Sequence, residues 1–252
     1  MQTAEPAAKK PMIDALFKVG AHFGYAKARR HPTAKPFIFG AKNHVELFDL
    51  EETEKALEAA KAFVSAVAAQ GKQILFVGGK NEAKDVVKSA AEASGLPYAA
   101  GRFVGGTLTN FAEIRRRVDK MERLLGERET GELNRYTKKE RLLIDREIDK
   151  LKSNFAGIVS MKSLPAAVFV VDPRREHIAV LEAKKLRIPV VALANSDCDL
   201  SEVDYAIPAN DSSRASIAHF VEELAAAYRA GRAPAREAAP APEASPAASV
   251  TA

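Results

Sequence analysis

Three uninterrupted apolar runs, Ile74 to Val77, Ala167 to Val171 and Val190 to Leu193, restrict the folds open to this chain more than any other feature of it. A strand with one wet face alternates apolar and polar residues, so a run with no polar position must be covered on both faces, as in a parallel sheet flanked by helices. Segments with apolar residues at helical spacing surround these runs: Asp49 to Ala69, with Leu57, Ala60, Val64 and Val67 on one side, then Glu82 to Ala93, Arg175 to Lys185 and Ser213 to Ala230. Asp49, Glu51, Glu52 and Glu54 put negative charge at the start of the first segment, where a helix dipole favours it, and Gly71 closes it. Strand, helix and parallel strand in succession predict a doubly wound α/β sandwich of three layers with right-handed crossovers. A short helix near Met12 to Val19 precedes it, and Pro97 to Ala99 supplies a further short strand. Phe37 to Phe39 and Val45 to Phe48, on either side of Gly40-Ala41-Lys42-Asn43, read as a hairpin entering the same sheet.

The stretch from Leu108 to Phe155 does not belong to that alternation. It reads as almost continuous helix, with Ile114, Val118, Met121 and Leu125 on one arm and Ile144, Ile148, Leu151 and Phe155 on the other. Both sets step by four, three and four, the spacing of a coiled-coil seam, and Gly126 and Gly131 break the run so that the arms fold back as an antiparallel hairpin. Its Arg115, Arg116, Arg117, Lys138, Lys139 and Arg141 are interspersed with acids, the pattern of an ordinary solvated helix pair. The predicted organisation is therefore a flexible N-terminus at 1–11, a sandwich domain at 12–107 and 156–231, the hairpin insertion at 108–155 and a disordered Ala/Pro-rich tail at 232–252.

Composition narrows the functional classes. With 252 residues, 47% of them hydrophobic, the chain has enough apolar material for one large core. The single cysteine, Cys198, excludes an internal disulfide and fits a reducing compartment. No window approaches a membrane span, and the first eleven residues lack the apolar centre of a secretory signal. The formal charge of +5 is mild, but it is unevenly spread. No acid occurs between Asp14 and Glu46, whereas Lys18, Lys27, Arg29, Arg30, Lys35 and Lys42 do, interleaved with His22, Phe23, Tyr25, His31, Phe37 and Phe39. Gly20, Gly24, Pro32, Pro36 and Gly40 keep this stretch from being one helix, so it presents its charges from turns and short extended pieces. Cations neutralise phosphates and release counterions, and rings stack on unpaired bases, so the pattern suits a nucleic-acid surface.

Other candidate sites carry less. Gly78-Gly79-Lys80 follows a buried strand and precedes a helix, where helix amides can hold a phosphate, but it lacks both the P-loop and the dinucleotide spacing. A second cluster, Gly101-Arg102-Phe103-Val104-Gly105-Gly106-Thr107-Leu108-Thr109-Asn110, offers a cation and a ring beside residue types that cap helices. The five histidines are scattered, and Asp172-Pro173 and Asp197-Cys198-Asp199 read as turns at strand ends. No catalytic constellation emerges.

Several of these segments, taken in order, carry a resemblance. They are Val19-Gly20-Ala21-His22-Phe23-Gly24 leading to Lys35-Pro36-Phe37-Ile38-Phe39-Gly40, then Phe76-Val77-Gly78, then Gly105-Gly106-Thr107-Leu108-Thr109-Asn110-Phe111. Leu164-Pro165-Ala166-Ala167-Val168-Phe169-Val170-Val171-Asp172, Ile188-Pro189-Val190, Ile207-Pro208 and Asn210-Asp211 follow. From about Met12 to Arg229 the chain resembles the family of bacterial small-subunit ribosomal protein two. That resemblance implies a flavodoxin-like sandwich with a parallel sheet and a protruding coiled-coil hairpin. It implies a non-enzymatic, cytoplasmic constituent of the small ribosomal subunit that binds small-subunit rRNA and neighbouring ribosomal proteins near the mRNA exit. It further implies support for docking of the large mRNA-binding ribosomal protein, with no membrane partner and no small-molecule substrate. Under this reading Lys27, Arg29, Arg30, Lys35 and Arg102 contact phosphates, and Phe103 packs or stacks where the family has a larger ring. Asn195 and Ser212 replace acids with which some members look able to hold a metal, so neither metal nor cofactor is expected. The rival reading is an enzyme or sensor that holds a phosphorylated small molecule at Gly78, Gly79 and Lys80, with the hairpin as a dimerisation arm.

Overall fold

A computed structural model describes residues 11–232. Apart from their innermost residues, the predicted flexible N-terminus (1–11) and disordered tail (232–252) lie outside that range. The chain opens with α1 (Pro11–Lys18), β1 (Phe23–Ala26), β2 (Ile38–Lys42), β3 (Val45–Phe48) and α2 (Leu50–Ala69). There follow β4 (Ile74–Val77), α3 (Asn81–Ser94), β5 (Tyr98–Ala99), α4 (Phe111–Glu129), α5 (Lys138–Phe155) and β6 (Ala167–Val171). It ends with α6 (His177–Lys185), β7 (Val190–Ala194), β8 (Tyr205–Pro208) and α7 (Arg214–Arg232).

The three apolar runs become β4, β6 and β7, the central strands of a five-stranded parallel sheet in the order β5-β4-β6-β7-β8. Counted along the sheet's own strands this is 2-1-3-4-5, the order of flavodoxin-like sheets. Every residue of β4, β6 and β7 is buried, and alternate side chains feed different cores. Ile74, Phe76, Phe169, Val171, Val191 and Leu193 pack with α2, α3 and α7. Leu75, Val77, Val168, Val170 and Val190 pack with α6 and with the proximal ends of α4 and α5, through Ile114, Val118 and Phe155. The missing polar positions of these strands thus match a sheet with helices on both faces. Asp49 caps α2 by accepting the amide of Glu51 at 2.9 Å.

The hairpin expectation needs correction. The hairpin does not enter the parallel sheet: β2 and β3 join β1 in a separate antiparallel sheet, β1-β3-β2, over the carboxyl edge. Its turn is Asn43-His44, with φ of 52° and 65°, the pair of left-handed residues that a two-residue hairpin needs, and Gly40 to Lys42 continue the strand. The sheet also has a strand not expected from the sequence, β8, which β7 reaches through the loop containing the short turn Leu200–Glu202.

The stretch expected to be nearly continuous helix is two helices, α4 and α5. Between them lie a left-handed Gly131 and a short turn, Glu132–Arg135, and a capping box of Thr137 and Glu140 starts α5. The helices contact each other, Lys120 bridging to Glu147 across them. On α4 the buried positions are Ile114, Val118, Met121 and Leu124, so Leu124 turns inward where the spacing argument chose Leu125.

Phe169 lies at the centre of the first core, fully buried, its ring 5.1 Å from that of Phe76. Phe169→Ala is expected to lower unfolding stability by about 3–5 kcal/mol. Leu142→Ala, at an exposed position on α5, should change it by less than about 0.5 kcal/mol. Urea titrations of the two variants check this contrast.

Candidate nucleic-acid interface

In an open α/β sheet, ligands bind where neighbouring strands lead away in opposite directions at their carboxyl ends. Here that point lies between β4 and β6, and the chain's own side chains fill it. Lys80, just after β4, places Nζ 2.7 Å from Asp172 Oδ2, after β6, and 2.6 Å from Asp211 Oδ2, after β8. Asn195, after β7, donates its amide to Asp211 Oδ1 at 2.8 Å. The cluster is buried, with Asp211 at 0% exposure. Burial by itself lowers a lysine pKa, but the Asp211 and Asp172 carboxylates outweigh it and hold Lys80 well above the ordinary value. Asp172 takes φ of 63°, a strained conformation for a residue without glycine's freedom, and its carboxylate also accepts the Arg175 amide at 3.1 Å. The neighbouring Cys198 thiol is pushed far up by burial and by the surrounding carboxylates, so it is no nucleophile.

Both glycine clusters turn out to cradle carboxylates. The Gly79 amide donates to buried Glu176, and a Cβ at Gly79 would lie 2.3 Å from Glu176 Oε1 and 2.3 Å from the Gly101 carbonyl oxygen. No side chain other than hydrogen fits there. Burial, chiefly, raises the Glu176 pKa above its ordinary value. In the second cluster the amides of Gly106, Leu108 and Thr109 all donate to Glu182 of α6, at 2.9 Å from Leu108 and 3.1 Å from Thr109. Thr107 bonds back to the Val104 carbonyl, whereas Asn110 is the N-cap residue of α4 as its type suggests, its carbonyl accepting the Glu113 amide although its side chain makes no capping bond. The Gly79 amide and the Lys80 ammonium are thus already engaged by carboxylates, which speaks against the phosphate that the rival reading places at Gly78, Gly79 and Lys80.

The antiparallel sheet is fastened over this edge through Ser196, whose Oγ accepts the Tyr25 amide at 3.0 Å and whose carbonyl accepts the His31 amide at 2.8 Å. The sequence-predicted cations divide by environment. Lys27 and Lys35 are exposed and have no side-chain partner among the described residues. Arg29 is exposed, stacks over the Tyr25 ring at 4.4 Å and shares Asp197 Oδ2 with Arg174, at 3.3 and 2.7 Å. Arg30 is different: half-buried, it pairs at 2.9 Å with Glu46, which is 1% exposed. Arg102 is exposed and unpaired among the described residues, on a separate loop beside the amino end of α3.

Phe103 requires a correction. Its ring is 4% exposed and belongs to the second core, packed with Leu108, Ile114 and Val180, so it has no free face to stack on a base. The exposed rings are Phe39, 80% exposed on β2, and Phe17 and Phe23, which both contact the His22 ring. Strand alternation beside half-buried Ile38 was the signal for Phe39. The Lys80 cluster was legible only in pieces, since each member follows the carboxyl end of a different parallel strand.

His22 keeps its buried Nδ1 without a hydrogen-bond partner among the described residues. Its ring stacks on Phe17, centroids 4.4 Å apart, and burial lowers its pKa. Asp211 already faces the Lys80 ammonium and the Asn195 amide, so a cation could enter only by displacing Lys80. Among the described residues no group of three or more His, Cys, Asp or Glu side chains is placed to hold a metal ion.

The fold and site define an α/β protein of flavodoxin-like order whose ligand crevice is closed by internal ion pairs and whose unpaired cations face outward. The family model for ribosomal protein S2 matches residues 16–231. The small ribosomal subunit protein uS2 of Solidesulfovibrio magneticus is 41% identical over 225 residues, covering 89% of this chain and 87% of that protein. The uS2 protein of Chlorobaculum tepidum is 43% identical over 216 residues, covering 86% and 87%. That of Spiroplasma citri is 44% identical over 221 residues, covering 88% of this chain and 62% of the longer relative. The chain belongs to the ribosomal protein S2 family, whose members are ribosomal components and not enzymes.

Removing Lys80 leaves two buried carboxylates without their cation. Lys80→Ala is expected to cost about 3–5 kcal/mol of stability in a denaturant titration. Glu176 binds a proton more readily folded than unfolded, so between its ordinary 4.5 and its higher folded value its contribution to stability falls as pH rises. Glu176→Gln keeps an oxygen for the Gly79 amide and removes that slope. The variant should gain on the wild type as pH rises from about 4 to about 7, measured as the difference in urea midpoints.

Proposed function

We propose that the chain is a structural constituent of the small ribosomal subunit that binds its rRNA through the amino-terminal antiparallel sheet and the loops around it. The observation that carries this reading is the division of charge there. Asp197 and Glu46 are tied into ion pairs, whereas Lys27 and Lys35, in the turns flanking the sheet that carries the exposed ring of Phe39, stand exposed without carboxylate partners among the described residues. Such a surface fits a polyanion with accessible bases. Lys27, Arg29, Lys35 and Arg102 contact phosphates, Phe39 takes the stacking role, and Arg30 supports the platform from below through Glu46. Contacts of this kind hold position without reading sequence, so specificity comes from RNA shape and from adjoining proteins.

The same reading assigns 12–107 and 156–231 to the RNA-bound sandwich and 108–155 to an inserted coiled-coil hairpin. The hairpin's mixed charges, paired within α4 as Arg115 with Asp119 and Glu122, suit contact with neighbouring ribosomal proteins better than with nucleic acid. Docking of the large mRNA-binding ribosomal protein, and a cytoplasmic ribosomal location, belong to this proposal. Among the described residues no helix is long and apolar enough to cross a membrane.

Lys27→Ala with Lys35→Ala should weaken binding to small-subunit rRNA and lower the slope of log affinity against log salt by about 1.4–1.8, roughly 0.7–0.9 per lost phosphate contact. Arg30→Ala should instead lower stability, because it leaves Glu46 buried and unpaired. Filter binding across a salt series and urea titration separate the two effects. An unchanged slope in the double lysine variant contradicts the assignment of the platform.

A further inference from the structure

Around the corner from the platform, the carboxyl edge holds a second cleft of about 420 Å³, lined by Gly79, Lys84, Arg102, Arg175, Glu176 and Ile178 among others. Its three cations come from separate elements: Lys84 from α3, Arg102 from the loop after β5, and Arg175 from the turn before α6. All three side chains are exposed, and none has a carboxylate partner among the described residues. Exposed cations without acid partners occur elsewhere on the chain, Lys27 and Lys35 among them, but here three of them line one cleft. The acids nearby are withdrawn from the cleft. Glu176 is buried against the Gly79 amide, and its burial favours the neutral acid. Asp172 is taken by Lys80, and Asp85, on the same helix as Lys84, lies 3.8 Å from Arg214 of α7.

We infer that this cleft is a second RNA contact, in which Lys84, Arg102 and Arg175 clamp a sugar-phosphate backbone that has left the platform. The inference rests on the rRNA-binding reading above and extends it to a surface that the basic amino-terminal stretch does not contain. An extended backbone fits better than a compact phosphate for a structural reason. A single phosphate in an α/β crevice is held by several converging backbone amides, and the Gly79 amide is already given to Glu176. What remains is a set of separated cations on the rim of an open cleft, which matches successive phosphates along a strand. Arg174, the residue before Arg175, reaches the other way to Asp197 beside Arg29, so the turn after β6 lies between platform and cleft. Ile178, 39% exposed on the rim, offers apolar surface to a ribose.

The test compares the full chain with Lys84→Gln plus Arg175→Gln, and with a charge-matched control, Lys88→Gln plus Lys185→Gln, at exposed positions that do not line the cleft. Binding to small-subunit rRNA is measured across a salt series. The cleft variant is expected to bind on the order of tenfold more weakly at moderate salt, with a slope lower by about 1.4–1.8, while the control stays near wild type. Equal losses in cleft variant and control would overturn the proposal, reducing it to net charge. An unaffected cleft variant would also overturn it, and if the platform variant still lost affinity, the rRNA-binding reading would stand without it. Wild-type protein that shows no salt-dependent rRNA binding would overturn both. Saturable binding of a mononucleotide, abolished in the cleft variant while its rRNA affinity is unchanged, would replace the backbone with a compact ligand.

Discussion

The buried ion triad of Lys80, Asp172 and Asp211 sets the character of this protein. It ties together the chain leaving β4, β6 and β8, three strands of one sheet, at the end where α/β proteins normally leave an opening. Two carboxylates and one ammonium would be costly to bury singly, and each persists because the others are in place. Asn195 completes the set by donating to the Asp211 oxygen that Lys80 leaves free. Because Asp172 adopts a left-handed conformation to reach Lys80, the strain in the backbone and the charge pairing depend on each other.

With the crevice closed, chemistry in the interior is excluded and interaction moves outward. The glycine loops that could have cradled phosphate hold Glu176 and Glu182, which lock the turns around β4 and the approach to α4. These internal carboxylates take up backbone amides and leave the surface cations without competition. The small antiparallel sheet then sits on the closed edge, fastened through Ser196, and carries Lys27, Lys35 and Phe39 toward solvent. A rigid support under exposed cations is what a structural RNA-binding component needs, since phosphate contacts act by position.

Much of the fold was legible in the sequence because β4, β6 and β7 are buried on both faces, and a strand in that state has no freedom to include polar residues. The first edge of the sheet was read through Pro97 to Ala99. The other edge, β8, was not, because Tyr205–Pro208 is four residues long and ends in a proline that only an edge strand accommodates. The hairpin turn was misplaced because Gly40 is a stronger turn signal than Asn43-His44, yet Gly40 lies within β2 beside an irregularity in register. Site residues were read less well for a different reason. Arg30 and Phe103 have the right chemistry for RNA, but their pairing with Glu46 and burial against Leu108 and Ile114 are tertiary facts that local composition does not contain. The Lys84, Arg102 and Arg175 cleft was invisible because its members lie far apart in the chain and share only their place at the carboxyl edge.

On the reading proposed above, the interior cation serves the fold while the outer cations hold RNA. Lysine acylation followed by mass spectrometry, on the free chain and on the assembled small subunit, separates these two roles. Lys80 should be unreactive in both states, and Lys27, Lys35 and Lys84 should react in the free chain and be protected in the subunit. Ready labelling of Lys80 in the folded free chain, or outer lysines that react equally in both states, would overturn this division of roles.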